Sequence, residues 1–359
     1  MNYLRVFCLC LLILNASCAK SISQPDKPTN KNNQELDVFL LIGQSNMQGV
    51  APIGSLDTLI LKNVYLFNDK NKWEPARNLP GNGMNRYSTV KRRPVVLFGP
   101  AYTFGRKIAA YTGRQIGIVS NARGATRIEW WQKGYAGDND FNLYEEAVAR
   151  AKAALAANPN AKLKGILWHQ GEADYTAERS AKYVDRLKAL VKDLRKDLGD
   201  PHLPFIAGEV GKWNNRGLTI NPLIRDIKSY ISDSEWVSSD GLTSIDVDHN
   251  NAHFDNLSQR VFGERYADKA AWLVYKIKPD GATLFSTVNY QGRSVLLSPG
   301  SYSATDLESM GIRSNEIISV KVDKGYKLLL DSRDGSKTVT DNIKDLKGYI
   351  PSSVKLVKQ

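Results

Sequence analysis

Hydrolysis at a serine needs a hydroxyl held on a tight turn, a base to take its proton, and N–H donors for the oxyanion that forms. Ser45 meets the first need. It follows the apolar run Val38–Ile42 and is flanked by Gly43 and Gly49, which let the backbone turn sharply and let a ligand approach closely. The surroundings are not the Gly-x-Ser-x-Gly elbow, so the base must be found elsewhere in the chain. The candidates are His169, His202, His249 and His253. His253 lies in Asn251-Ala252-His253-Phe254-Asp255, just ahead of an amphipathic segment that starts near Leu257. The mouth of a helix suits a base that must keep one tautomer. His169 opens the polar cluster His169-Gln170-Gly171-Glu172, which reads equally as a structural network. His202, between Pro201 and Pro204, reads as an exposed loop residue, and His249 stays undecided. For the oxyanion, Gly124 offers a backbone N–H, Gln170 a side-chain amide, and Ser45 its own N–H.

Thiol chemistry is excluded. Cys8, Cys10 and Cys18 are the only cysteines and all fall in the first 18 residues. There Arg5 precedes the apolar run Val6–Leu14 and the small residues Ala16-Ser17-Cys18-Ala19, the order of a secretory signal too short to span a bilayer. Cleavage after Ala19 gives a soluble exported chain; cleavage before Cys18 leaves a cysteine open to lipidation. The expected location is secreted, periplasmic or outer-surface. Either way the mature chain holds no internal disulfide and no cysteine-bound zinc. The net charge is +12, but the densest basic run is only Lys91-Arg92-Arg93, without the concentrated stripe that nucleic acid requires. The basic balance reads as a solvated surface or as attraction to acidic polysaccharide.

The elements that must position these residues alternate along the chain. Strand-length apolar runs at Val38–Ile42, Ile116–Val119, Gly165–Trp168 and Phe205–Val210 are separated by helical patterns. The patterns are Tyr102–Ala110, Tyr144–Ala157, Ala177–Leu198, Leu223–Ile231 and Leu257–Ile277. Continuous apolar strands between amphipathic helices predict an α/β fold with a parallel sheet covered on both faces. Its ligands belong at the carboxyl ends of the strands. Past Pro279-Asp280-Gly281 the pattern turns all-β, with a weak twofold repeat of about 40 residues that suggests two Greek-key units. The expected organisation is a signal at 1–19, a linker at 20–35, an esterase-like domain at 36–278 and a β domain at 282–359.

Four ordered blocks carry a resemblance. They are Gly43-Gln44-Ser45-Asn46-Met47, Asn121-Ala122-Arg123-Gly124 with Trp130, Trp168-His169-Gln170-Gly171-Glu172, and His253-Phe254-Asp255. Together they resemble the SGNH-type carbohydrate esterases, of the acetylxylan-esterase and sialate O-acetylesterase-like kind (carbohydrate esterase family six). The resemblance implies a flavodoxin-like three-layer α/β/α fold and hydrolysis of sugar acetyl esters without cofactor or metal. It casts Ser45 as nucleophile, His253 as base, and Gly124 and Gln170 as oxyanion donors, with Asn46, His169 and Glu172 in support. The acid behind the histidine usually lies three residues before it, where this chain has Asn250. Asp248 is favoured in its place, with Asp246, Glu172 or a backbone carbonyl as alternatives. Trp130 and Trp131, with Tyr135, are candidates to stack on a sugar. The substrate reads as acetylated xylan or a related polysaccharide; a sialate ester, a lipase-like ester, or a non-catalytic glycan-binding role are the rivals. The β region resembles a βγ-crystallin domain. Calcium is not expected there, because Ile318 stands where a hydroxyl ligand belongs and Gly348–Ser353 lacks the acidic pair. Attachment to glycan or to a surface is the role weighed for that domain.

Overall fold

The computed structural model describes residues 35–91, 95–136, 142–246, 248 and 251–359. The chain divides into two units, Met1–Asn33 and Gln34–Gln359, and every described residue belongs to the second. The expected export signal, the tether up to residue 34, His249 and Asn250 lie outside the described residues. No helix among the described residues is long and apolar enough to cross a membrane.

Seven strands make the main sheet: β1 (Leu36–Gly43), β2 (Val64–Phe67), β3 (Trp73–Pro75), β4 (Gln115–Ser120), β5 (Ala161–His169), β6 (Phe205–Gly208) and β7 (Ser234–Val237). Their order is β3-β2-β4-β1-β5-β6-β7, parallel throughout except for β3, which pairs antiparallel with β2 at one edge. Strand β1 shows why the apolar runs are continuous. Successive side chains point to opposite faces; Phe39 and Leu41 enter one core cluster, Val38, Leu40 and Ile42 the other, all fully buried. Both faces are covered, so both registers must be apolar.

The helices are α1 (Ser45–Gln48), α2 (Ala101–Thr112), α3 (Leu143–Ala156), α4 (Ala177–Ser180), α5 (Tyr183–Leu198), α6 (Arg216–Arg225), α7 (Ile227–Tyr230), α8 (Asn256–Tyr275) and α9 (Ala304–Met310). Residues of α2 and α8 pack into the Phe39 cluster; those of α3, α5, α6 and α7 pack into the Val38 cluster. Two expected helices differ. The pattern over Ala177–Leu198 is broken at residues 181–182, so only α5 carries the buried stripe Leu187, Leu190, Val191 and Leu194. The helix expected at Leu223–Ile231 starts earlier, at Arg216, runs through Pro222 and ends at Arg225, with α7 beyond it.

The C-terminal strands form two small sheets. One orders β11 (Ser319–Val322), β8 (Ala282–Phe285) and β9 (Ser294–Leu297). The other orders β10 (Gly300–Ser303), β14 (Ser353–Lys358), β12 (Tyr326–Ser332) and β13 (Gly335–Val339). The halves exchange pieces: β10 of the first pairs with β14 of the second, while Ile343 of the second bridges to Val320 of the first. This module packs on the helical layer. Val261 and Phe262 of α8 share one core cluster with Leu284, Leu297, Leu307 and Ile312. Arg106, Arg260 and Arg265 reach Ser309 Oγ (2.7 Å), the Glu308 carbonyl (2.5 Å) and Ser294 Oγ (3.0 Å) across the junction.

Candidate active site

Ser45 stands where β1 gives way to α1, and two glycines make that turn feasible. Gly43 has φ 134°, and a Cβ there would sit 2.1 Å from the His169 carbonyl oxygen of the neighbouring strand. Gly49 closes the turn with φ 100°, and a Cβ would meet the Leu97 carbonyl oxygen at 2.3 Å. L side chains rarely adopt either conformation. As the first residue of a helix, Ser45 has an N–H with no intrahelical acceptor.

His253 Nε2 lies 2.8 Å from Ser45 Oγ. Two neighbours hold it. Phe254 is fully buried, stacked on Phe262 with centroids 5.2 Å apart and edge-on to Trp213 at 5.3 Å. Asp255 caps α8 by accepting the Ser258 N–H at 2.7 Å, so this acid of the motif serves the helix. Asn46, also fully buried, ties the parts together. Its Nδ2 donates to Glu172 Oε1 (2.6 Å) and to the Ala252 carbonyl (3.1 Å); its Oδ1 accepts from the Phe254 N–H (3.2 Å) and from Gln259 Nε2 (3.0 Å). The backbone is therefore clamped on both sides of His253.

The electrostatics favour a neutral imidazole. Burial lowers the His253 pKa from its ordinary value; the Glu172 and Asp246 charges oppose this, and the Arg216 charge adds to it. For Glu172, burial pushes upward, but His169 and the hydrogen bonds from His169 and Asn46 hold it below the usual carboxylate range.

Several expected roles are corrected. Asp248 is exposed and makes no hydrogen bond to His253, and no carboxylate among the described residues does so. Asp246 Oδ1 accepts from Ser244 Oγ at 3.2 Å, and Glu172 Oε1 is taken by Asn46 and by His169 Nε2 (3.1 Å). Both act on His253 through space. Gln170 is fully buried and outside the cavity, its Nε2 donating to the Thr126 carbonyl (3.0 Å) and to Asp174. That amide is committed to fixing the loop after β5. Trp131 is fully buried, edge-on to Trp168 at 5.4 Å, and is a core residue. Trp130 packs partly buried against the same core with the Arg127 guanidinium over its ring, and it does not line the cavity that holds Ser45. His169 is likewise structural, fully buried and edge-on to Phe262 at 4.9 Å.

Ser45 and His253 open into a cavity of about 350 Å³ lined also by Gln48, Gly124, Glu172 and Arg216. These residues follow β1, β4, β5, β6 and β7 in turn, so the cavity lies at the carboxyl ends of the parallel strands. The Gly124 N–H points at Gln48 Oε1, 2.7 Å away, and a Cβ on Gly124 would lie 3.5 Å from that of Ser45. Gln48 was not singled out from the sequence. Its signal was there: three residues past Ser45, it falls on the same face of a helical turn. Arg216 was missed for a different reason, because it starts a helix whose onset the sequence pattern does not mark.

A probable carbohydrate esterase of Arabidopsis thaliana is 27% identical over 192 residues, 47% of this chain and 66% of the relative, just under two thirds of its length. The solved structure of an Arabidopsis thaliana protein superposes with a TM-score of 0.55 at 23% identity, covering 66% of this chain and 98% of that one. A βγ-crystallin domain from Flavobacterium johnsoniae aligns with 22% of this chain and 97% of its own, at 26% identity and a TM-score of 0.21. Residues 35–272 match the family described as carbohydrate esterase, sialic acid-specific acetylesterase, and the chain belongs to that family.

Proposed function

We propose that this chain is a serine esterase that removes O-acetyl groups from carbohydrate, with Ser45 as nucleophile and His253 as base. The observation that carries the reading is the 2.8 Å contact between Ser45 Oγ and His253 Nε2 at the floor of an open cavity. His253 Nε2 takes the Ser45 proton as Oγ attacks the acetyl carbonyl. The oxyanion is held by the N–H groups of Ser45 and Gly124 and by the Gln48 side-chain amide, once the carbonyl oxygen of the ester displaces Gln48 Oε1 from Gly124. Collapse breaks the C–O bond to the sugar, whose oxygen receives the proton from His253. Water, deprotonated by His253, then attacks the acetyl-serine; the acyl–Oγ bond breaks, acetate leaves, and His253 returns the proton to Ser45 Oγ. No orienting carboxylate is needed in contact with His253: Asn46 and Phe254 fix the ring's backbone, and Glu172 and Asp246 stabilise the imidazolium at a distance.

The sequence blocks that include Ser45, Gly124 and His253 support placing the fold among the SGNH-type hydrolases. The exchange of strands between its two halves supports a βγ-crystallin type for the C-terminal module. Export through residues 1–19 would put the enzyme on extracellular glycan. Acetate release from a chromogenic acetate ester and from acetylated oligosaccharides tests the reaction. The wild type is expected to turn over both, and Ser45→Ala to lose roughly 10³-fold or more. Activity surviving unchanged in Ser45→Ala would rule out the serine mechanism.

A further inference from the structure

The segment that carries Gly124 is held from behind by a buried acid that the reaction itself does not use. Gly124 lies between β4 and the short helical turn Ile128–Trp131. On its upstream side the Arg123 N–H donates to the Gly43 carbonyl (3.0 Å), in the turn that presents Ser45. On its downstream side Ala125 adopts φ 58°, a conformation that residues with a Cβ rarely hold unaided. The Thr126 hydroxyl keeps the bend locally, donating to the Arg123 carbonyl (3.1 Å) and accepting from the Trp131 indole N–H (3.1 Å). Two backbone groups past the bend still need partners. The Thr126 carbonyl accepts from the Gln170 side-chain amide at 3.0 Å. The Ile128 N–H, an orphan donor at the start of a helical turn, donates to Asp174 Oδ2 at 2.9 Å. Gln170 Nε2 donates to the same Asp174 oxygen, so one carboxylate gathers both contacts.

That carboxylate is an expensive group to bury. Asp174 and Gln170 are both fully buried, and Asp174 Oδ1 and Gln170 Oε1 have no hydrogen-bond partner. Burial pushes the Asp174 pKa above its ordinary value, against the hydrogen bonds from Gln170 and Ile128; Arg186 and Arg179 act on it only through space. A carboxylate taken out of water without a contacting counter-ion costs free energy that folding normally avoids. What the chain obtains is a fixed spacing between two loops. Gln170 and Asp174 follow β5, Gly124 and Ile128 follow β4, and Ser45 stands at the end of β1, the strand between them. A Cβ on Gly124 would lie 3.5 Å from that of Ser45. At that range a small shift of the segment alters both the length and the angle of any hydrogen bond from the Gly124 N–H, and such bonds weaken steeply with angle.

We propose that Asp174 is a positioning residue: through the Ile128 N–H and through Gln170 on the Thr126 carbonyl, it sets the Gly124 N–H at the distance that an oxyanion on Ser45 requires. This rests on the esterase reading above. Asp174 does not line the cavity, so it acts on the reaction only through the backbone that it holds. A donor fixed in advance costs no reorganisation when charge develops, and a segment gripped on both sides of Gly124 supplies that fixity.

The test follows turnover of a chromogenic acetate ester by the full-length protein, with thermal unfolding and the affinity of an arylboronic acid measured beside it. Ser45 Oγ adds to the boron, its proton passing to His253, and the tetrahedral adduct places an oxygen where the oxyanion sits. Boronate affinity therefore reports on the oxyanion donors. Asp174→Ala and Gln170→Met each remove one link, and either alone carries the test if the other yields no soluble protein. Each is expected to lower kcat by roughly tenfold to a hundredfold, the effect of a misplaced donor rather than a missing one. KM is expected to stay within about threefold of the wild type, and boronate affinity to fall in step with kcat. Asp174→Asn keeps a side-chain oxygen for the Ile128 N–H and is expected to recover most of the loss. A kcat within about twofold of the wild type in a folded variant, or a fall in kcat with boronate affinity unchanged, overturns the assignment and leaves the esterase standing. Acetate release absent from the wild type, or unchanged in Ser45→Ala, overturns both.

Discussion

Burial lowers the basicity of His253, and a general base works only while neutral. Activity should therefore rise as pH climbs through the folded-state pKa and then level off. The midpoint of that acid limb in kcat/KM is expected below 6.5, the ordinary value for the ring; a midpoint above it would mean that Glu172 and Asp246 outweigh burial and Arg216. Asp248 gives a sharper contrast. In the serine-protease arrangement, spoiling the orienting acid costs about 10⁴ in turnover. Asp248 is exposed and makes no hydrogen bond to the ring, so Asp248→Asn is expected to keep kcat within about twofold, as for a surface change. Asn46 behaves oppositely. Its replacement by Ala removes four hydrogen bonds and leaves the Phe254 N–H buried, at a cost of about 2–4 kcal/mol in denaturant unfolding and with a clear fall in kcat. That Ser45, His253 and Gly124 line one cavity was legible from their residue types and their places at strand or helix ends. Gln170 was misread because sequence shows a free amide and cannot show that Thr126 and Asp174 already occupy it. The acid could not be settled by spacing, since no periodicity in the sequence around Asp248 says which carboxylate belongs with His253.

At the scale of elements, strands β1, β4, β5 and β6 were legible because burial on both faces demands unbroken apolar runs. Strands β2, β3 and β7 were not: they are short and near the edges, and β7 carries Glu235 and Ser234 among its four residues. Helix α8 was legible from the helical pattern that starts near Leu257, and the structure adds its Asp255 cap. Asp255→Ala is expected to lower stability by about 1 kcal/mol with little change in kcat, because the cap carboxylate serves α8 and not His253; thermal unfolding of the variant beside its turnover checks both halves. At Gly43 no side chain fits, since φ is 134° and the His169 carbonyl occupies the space. Gly43→Ala is expected to abolish soluble protein or to shift the β1–β5 register, rather than merely slow the reaction.

At the scale of the whole molecule, the C-terminal module is bound into the catalytic half. The core around α8 includes residues of both, and the buried Lys107 of α2 pairs with the buried Glu264 (3.2 Å) and the half-buried Asp268 (2.8 Å) of α8 beneath it. A chain ending at residue 278 is expected to expose that apolar face and to aggregate, while the full chain melts in one cooperative step. Two separate thermal transitions would contradict a shared core. The alternation of sequence character near residue 280 marks the change in architecture but not this dependence, because contacts between distant segments leave no local pattern. The account as a whole stands on one pair of atoms, Ser45 Oγ and His253 Nε2, and covalent labelling interrogates it directly. Treatment of the full-length protein with a fluorophosphonate, followed by peptide mapping, is expected to place a single adduct on Ser45, to abolish acetate release in proportion, and to fail in His253→Ala. An adduct elsewhere, or esterase activity that persists with Ser45 fully labelled, would contradict it.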